Sequence, residues 1–348
     1  MDRRARSPRR RSSLRAGFSM IELLIVIVII AILSGFLLQA VNGARQQARI
    51  VTVVNDIKAL EKAIADFKLK FGVEPPSFIV LYEAGSAAAS APNWDADTTT
   101  MSTPALSQGA RRASRAIIRE LWPSFDFVGS YDIDGDSVMN EVHVLNGAEC
   151  LAFFLGGLQQ PTTINGINTV SSRGFSANPA TPFLGYTGNR IGPFLADMDP
   201  VRFIDLDADG IFEYRDPLPG QSNPYQFFSS YNGRGYRVNG LDNVANTNDD
   251  ETIRVGGQQT LRQAYQQAAG NWSTYPPSPN PLPVHFKENG FQIISPGFDG
   301  AYGYGGFLST ESGVSSPANS DPPWATTPPR PLNEERDNIT NIKGGTLG

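Results

Sequence analysis

The sequence predicts an α+β chain. One long N-terminal helix spans a membrane with its first half and packs with its second half on a C-terminal antiparallel β-sheet domain carrying large loop insertions. Three observations carry this expectation. An uncharged, strongly apolar run of 22 residues extends from Leu23 to Ala44. Apolar residues then continue at helical spacing to Phe71, where Gly72 and Pro75-Pro76 close the pattern. Beyond that point short strand-like runs lie among loops, in a chain holding 34 Gly and 26 Pro.

The first 17 residues hold seven Arg and one Asp, a net of +6, whereas the whole chain stands at −5, so residues 18–348 carry −11. A basic tip on an acidic body marks a targeting segment and disfavours a nucleic-acid partner. The next stretch contains LLIVIVIIAILSGFLLQAV. About 20 apolar residues at 1.5 Å each cross the ~30 Å hydrocarbon layer, so this run is long enough to span it. The arginines before it should stay cytoplasmic, which places the remainder across the membrane. A cleaved secretory signal has a shorter apolar stretch, roughly 7–15 residues, with its small-residue cleavage site behind it. Here the small residue, Gly17, comes before the apolar run instead. One acid, Glu22, interrupts the start of the run; it is either solvated at the headgroups or matched by a counter-charge.

From Arg45 onward the apolar positions are Ile50, Val53, Ile57, Leu60, Ile64, Phe67 and Phe71, with Lys58, Lys62, Asp66 and Lys70 between them. This is one stripe on a continuing helix, which from Phe18 to Phe71 would be ~80 Å long. A β-sheet is the simplest partner for the stripe, with a stalk coiled coil as the alternative. The chain thus divides into a basic leader (1–17), a membrane segment (18–44), an amphipathic continuation (45–72) and a β-rich body (73–348).

Within the body, residues 84–110 are Ala/Ser/Thr-rich and read as an insert. Ala113–Leu121 and residues 146–158 read as short helices, and 160–200 as Pro/Gly/Asn-rich connection. Residues 201–205, 210–214 and 290–295 read as strands, and the proline-rich tail 315–331 as extended surface chain. Cys150, the only cysteine, excludes an internal disulfide and reads as a small buried hydrophobe. The two histidines, His143 and His285, leave little for a zinc or catalytic cluster and read as satisfied strand residues. No G-x-S-x-G elbow, P-loop or H-E-x-x-H motif is present, so no reaction is motivated and an enzyme is not expected.

The string Gly17-Phe18-Ser19-Met20-Ile21-Glu22, followed by LLIVIVIIAIL, resembles the cleavage and methylation signature of type IV pilins and type II secretion pseudopilins. The resemblance covers some 20–30 residues and implies a great deal. A prepilin peptidase would cut between Gly17 and Phe18 and methylate the new N-terminus. Glu22, then fifth in the mature chain, would pair with the N-terminal amine of a neighbouring subunit. Further partners so implied are the membrane, an inner-membrane assembly platform, and this and other pilins or pseudopilins in a filament. The implied fold is a long helix on a sheet, which agrees with the pattern read from the residues.

Acidic loops are the remaining chemistry. Asp205, Asp207 and Asp209 alternate, Gly210 follows, and Asp216 occupies the twelfth place: this is calcium-loop spacing, in which the glycine permits the turn and the odd positions aim oxygens at one point. No helix is apparent on either flank, and a plain solvated turn is the alternative. A second loop, Asp132-Ile133-Asp134-Gly135-Asp136 with Glu141 downstream, alternates likewise, but its glycine comes early. The segment Ile294–Gly300 and the later Arg336-Asp337-Asn338-Ile339 resemble the C-terminal calcium loop of major pseudopilins. That resemblance implies Asp299 and Asp337 as ligands, although the stretch between them far exceeds the short family loop.

The expected function is therefore structural: a membrane-held precursor, processed after Gly17, that assembles into a filament through its helix, with calcium rigidifying the exposed domain. The similarity to major pseudopilins favours a type II secretion pseudopilus over a type IV pilus. The competing reading is an uncleaved, signal-anchored extracytoplasmic protein, either a calcium-binding module or a hydrolase.

Overall fold

The computed structural model describes residues 19–86, 92–95, 108–164, 166–185, 188–195, 198–237, 284–302 and 336–347. It also describes short strand segments at 254–255, 258–259, 263–267, 305–308 and 315–316. The leader, most of the 84–110 insert and most of the proline-rich tail lie outside the described residues.

The first element is a helix of 52 residues, α1 (Met20–Phe71). It ends at Gly72, whose φ of +79° is the left-handed conformation that stops a helix at little cost to glycine. Two compact units divide the chain within this helix, one ending at Arg49 and the other beginning at Ile50. In the first unit every large apolar side chain from Met20 to Leu38 is exposed. Among the described residues nothing covers this surface, and the helix is long and apolar enough to cross a membrane.

In the second unit the predicted stripe is the core face: Val53, Ile57, Leu60, Ile64 and Phe67 are buried, joined by Ala63. The expected sheet is only part of what covers it. The Phe67 ring meets Phe154 and Phe194 edge-on, with centroids 5.9 and 5.2 Å away, and Phe71 meets Trp122 at 5.3 Å. Asp56 anchors the polar flank. Arg202 Nη1 and Nη2 donate to its two carboxylate oxygens at 3.0 and 2.5 Å, and Tyr225 Oη donates at 2.7 Å.

Strand β1 (Ile79–Tyr82) follows and pairs antiparallel with β2 (Val142–Leu145). Between them comes α2 (Gln108–Leu121), five residues longer at its start than the sequence suggested; its Ser114 Oγ accepts the Val80 N–H at 2.9 Å. Immediately after β2 begins α3 (Gly147–Gly156), capped reciprocally by Asn146 and Glu149. Gly147 is required here, since a Cβ would lie 2.0 Å from Phe227 O.

The 160–200 region is not plain connection. It holds the hairpin β3 (Gln159–Ile164) and β4 (Ile167–Ser172), then the pair β5 (Phe175–Ser176) and β6 (Arg190–Ile191). The sequence signal for this hairpin is the dipeptide Asn165-Gly166 between Ile164 and Ile167, which are register partners, and it is hidden by the surrounding Pro/Gly/Asn content. Strands β7 (Phe203–Ile204) and β8 (Glu213–Tyr214) form a short hairpin around the first acidic loop.

Next come β9 (Gln226–Ser229) and the small pair β10 (Arg254–Val255) and β11 (Gln258–Gln259). β12 (Gln263–Gln267) and β13 (Val284–His285) precede β14 (Phe291–Ser295). β15 (Gly305–Leu308) and β16 (Ser315–Ser316) complete a sheet ordered β13-β12-β15-β16. The C-terminal hairpin β17 (Ile339–Thr340) and β18 (Gly345–Thr346) joins the sheet ordered β18-β17-β14-β9, antiparallel throughout. Alternation places Phe227 and Ile293 of that sheet in the main core, and Phe228 and Ile294 in a second cluster on its other face with Tyr265, Tyr302 and Leu347.

The main core is rich in rings. Trp122, at the end of α2, touches Phe71 of α1, Phe175 of β5 and Phe183, all at centroid distances near 5.2–5.3 Å. Phe153 of α3 meets the same Phe175 at 5.6 Å and Phe183 at 5.9 Å.

Candidate functional site

Gly17 and Phe18, the expected processing residues, lie outside the described residues. Just beyond them Ser19 and Glu22 cap α1 reciprocally: the Ser19 N–H donates to Glu22 Oε2 at 2.8 Å, and the Glu22 N–H donates to Ser19 Oγ at 3.2 Å. In the isolated chain Glu22 thus serves the start of its own helix. The S-x-x-E spacing before an apolar run is a capping signature legible in the sequence.

The first acidic loop turns between β7 and β8. Asp205 shapes it: Oδ1 accepts the Ala208 N–H at 2.7 Å and Oδ2 that of Gly210 at 3.2 Å. Asp209 Oδ1 accepts the Ile211 N–H at 2.9 Å. Asp207 and Asp209 come together not with Asp216 but with Glu149 of α3, each of the three offering a carboxylate oxygen within 4.8 Å of the others. Asp216 instead receives the Ser295 hydroxyl at 2.5 Å, Gln221 Nε2 at 3.1 Å and the Leu218 N–H at 2.9 Å. The reason is the exit from the loop. Residues after 212 pair as antiparallel β8 and carry the chain onward, where a calcium-loop helix would return the twelfth residue.

A second acidic group faces this one. Fully buried Glu83, just past β1, accepts the Ile133 N–H at 2.8 Å and the Glu141 N–H at 3.3 Å, and lies 3.2 Å from His143 Nε2. Asp132 and Asp134 of the second loop group with Glu83, as do Glu141 and His143. His143 is therefore a strand histidine on β2, as expected, but one placed among carboxylates. The two loops abut, since a Cβ at Gly210 would lie 2.6 Å from Asp134 Oδ2. Glu83 and Glu149 escaped the sequence reading because each stands alone in sequence and meets the loops only through the fold.

Burial, followed by neighbouring carboxylates, raises the pKa values on the Glu149 side. Glu149 is pushed well up by burial and by Asp209, Glu213 and Asp207; Glu213 rises to about 9 and Asp209 to about 6. On the facing side burial lifts Asp134 to about 6. Burial alone would lower His143, but Glu83, with Asp134 and Asp209, holds it above its usual value. So many crowded acids favour uptake of protons or of a cation.

The C-terminal residues are brought together despite the long stretch between them. Asp337 Oδ2 accepts the N–H groups of Phe298 and Asp299 at 2.6 and 3.0 Å, and Asp299 Oδ1 accepts that of Ala301 at 2.8 Å. Gly297, with φ +67°, is needed at this approach: a Cβ there would lie 2.4 Å from Asp337 O. Asp337 thus caps the turn that follows β14. Cys150 is buried with its Sγ 3.6 Å from Leu145 O, as a packing residue.

The prokaryotic N-terminal methylation motif matches residues 12–38, so the chain carries a type IV pilin-like prepilin signature. No curated protein and no solved structure matches the chain.

Proposed function

We propose that this chain is a filament subunit made as a membrane precursor, cleaved between Gly17 and Phe18 and assembled through α1. The observation that carries the reading is a coincidence in one segment: the methylation motif at 12–38 overlaps the part of α1 whose apolar side chains are all exposed. Before assembly lipid would cover that surface; in a filament the helices of other subunits would replace it. The precursor would sit in the inner membrane with its basic leader cytoplasmic and its body periplasmic or extracellular. Its partners would be a prepilin peptidase, an assembly platform, and this or other pilin-like subunits. Its work would be packing rather than catalysis.

Glu22 would set axial register. Its capping bonds to Ser19 show the carboxylate turned toward the chain's N-terminal end, where an incoming subunit's amine could compete for it; a charge in apolar surroundings needs such a partner. A type II secretion pseudopilus is favoured over a pilus by the resemblance of Ile294–Gly300 and Arg336–Ile339 to the pseudopilin loop; the turn in which Asp337 accepts the N–H groups of residues 298 and 299 keeps those two segments together. Calcium at Asp299 and Asp337 belongs to that reading.

The test is the intact N-terminus. Mass spectrometry of protein extracted from its native membrane should find a chain beginning at N-methylated Phe18. A chain retaining residues 1–17 in cells with active prepilin peptidase would overturn the proposal. Glu22→Ala should insert in the membrane yet fail to assemble.

A further inference from the structure

We infer that Glu149, Asp207 and Asp209 form a calcium site that ties α3 to the β7–β8 loop. Two independent observations support it. The first is convergence: three carboxylates from two separate parts of the chain place oxygens within 4.8 Å of one another. The second is an orphaned atom. Glu149 is completely buried; its Oε2 accepts the Asn146 N–H at 2.7 Å, while its Oε1 has no hydrogen-bond partner among the described residues. A buried carboxylate oxygen without a donor is costly, and a cation among the three acids would satisfy it.

The donor chemistry selects the ion. All three ligands are carboxylates, with no imidazole or thiolate among them, which suits a hard divalent cation. Three acids from a loop and a helix start leave room for loop carbonyls and water, matching calcium's six to eight ligands better than a strict octahedron. The loop is shaped in advance, because both oxygens of Asp205 and Oδ1 of Asp209 accept its own N–H groups. This ligand set replaces the twelfth-position Asp216 with Glu149, so it differs from the one that the spacing suggested. It stands on residues of the body alone and holds or fails independently of filament membership.

The experiment uses the full chain in detergent, stripped with chelator, with calcium uptake read by calorimetric titration. The wild type should take up calcium. Glu149→Gln keeps the side chain's shape and can still cap Asn146; it should weaken calcium at this site by tenfold or more, and Asp209→Asn, outside the capping box, should do the same. Asp337→Asn should leave this site's affinity unchanged. The inference is overturned if the wild type takes up no calcium, if both Glu149→Gln and Asp209→Asn titrate like wild type, or if only Asp337→Asn abolishes uptake. Circular dichroism of each variant separates loss of the site from loss of fold.

Discussion

Removing the Asp56 carboxylate tests how α1 is held to the body. Asp56 accepts two charged hydrogen bonds from Arg202, at 3.0 and 2.5 Å, and one from the Tyr225 hydroxyl at 2.7 Å; the Arg202 and Asp56 side chains are only 15% and 20% exposed. Asp56→Ala therefore strands a guanidinium and a buried phenol. Breaking a buried pair from one side costs about 3–5 kcal/mol. Here the pair is not fully buried. Arg202 also keeps Arg215 O, 2.8 Å from Nε and 2.5 Å from Nη2, and the Tyr214 ring at 4.1 Å. The lower end of the range, about 3 kcal/mol, is expected. At roughly 1.6 °C per kcal/mol for a body of this size, that lowers the melting temperature by about 5 °C. The double variant Asp56→Ala/Arg202→Met removes the stranded charge and should regain about 2 kcal/mol, seen as coupling in a double-mutant cycle. The assay is urea denaturation of the full chain in detergent. A single-variant loss below ~1 kcal/mol, or additive single and double losses, would refute the reasoning.

Three further outcomes follow from other parts of the structure. Phe67→Ala, at a fully buried ring, should cost about 3–5 kcal/mol, whereas Leu69→Ala, two residues away and 87% exposed, should stay within about 0.5 kcal/mol; denaturation midpoints compare them. Gly157→Ala must adopt φ +80° and set a Cβ 2.2 Å from the Gly174 backbone, so a loss of about 3 kcal/mol or more is expected, read as the lowered melting temperature. Burial depresses His285 to about 4, so the unfolded chain binds a proton there before the folded chain does. Its contribution is present above pH ~6.5 and is lost as the pH falls toward 4. Comparing wild type and His285→Gln at pH 7.5 and 5 should show a smaller acid loss in the variant.

Local pattern made α1 legible nearly residue by residue. A 3.6-residue period, a glycine stop and an uncharged span are all written along the chain, and so is the methylation motif. The hairpin at Ile164–Ile167 was equally local and was masked only by the proline and glycine around it. What pattern could not show is which separate pieces meet. Asp56 and Arg202 lie 146 positions apart, and neither is unusual alone. The alternating acids at 205–209 announced a loop able to gather oxygens, yet the third oxygen comes from a helix start that reads as an ordinary capping box. Asp216 looked like part of that loop because spacing alone does not reveal that β8 leads the chain away.

The rings around Trp122 bear on how the body comes apart. Trp122 itself touches Phe71 from α1, Phe175 from β5 and Phe183, and Phe67 of α1, Phe153 and Phe154 of α3, and Phe194 join the same network through those rings and one another. None of these elements can leave without uncovering rings that belong to the others. Amide protons in the buried second half of α1 and in α3 should therefore exchange with solvent together, at the rate of global opening, instead of fraying one helix at a time. In such a body the buried second half of α1 and the fold packed against it form a single cooperative unit.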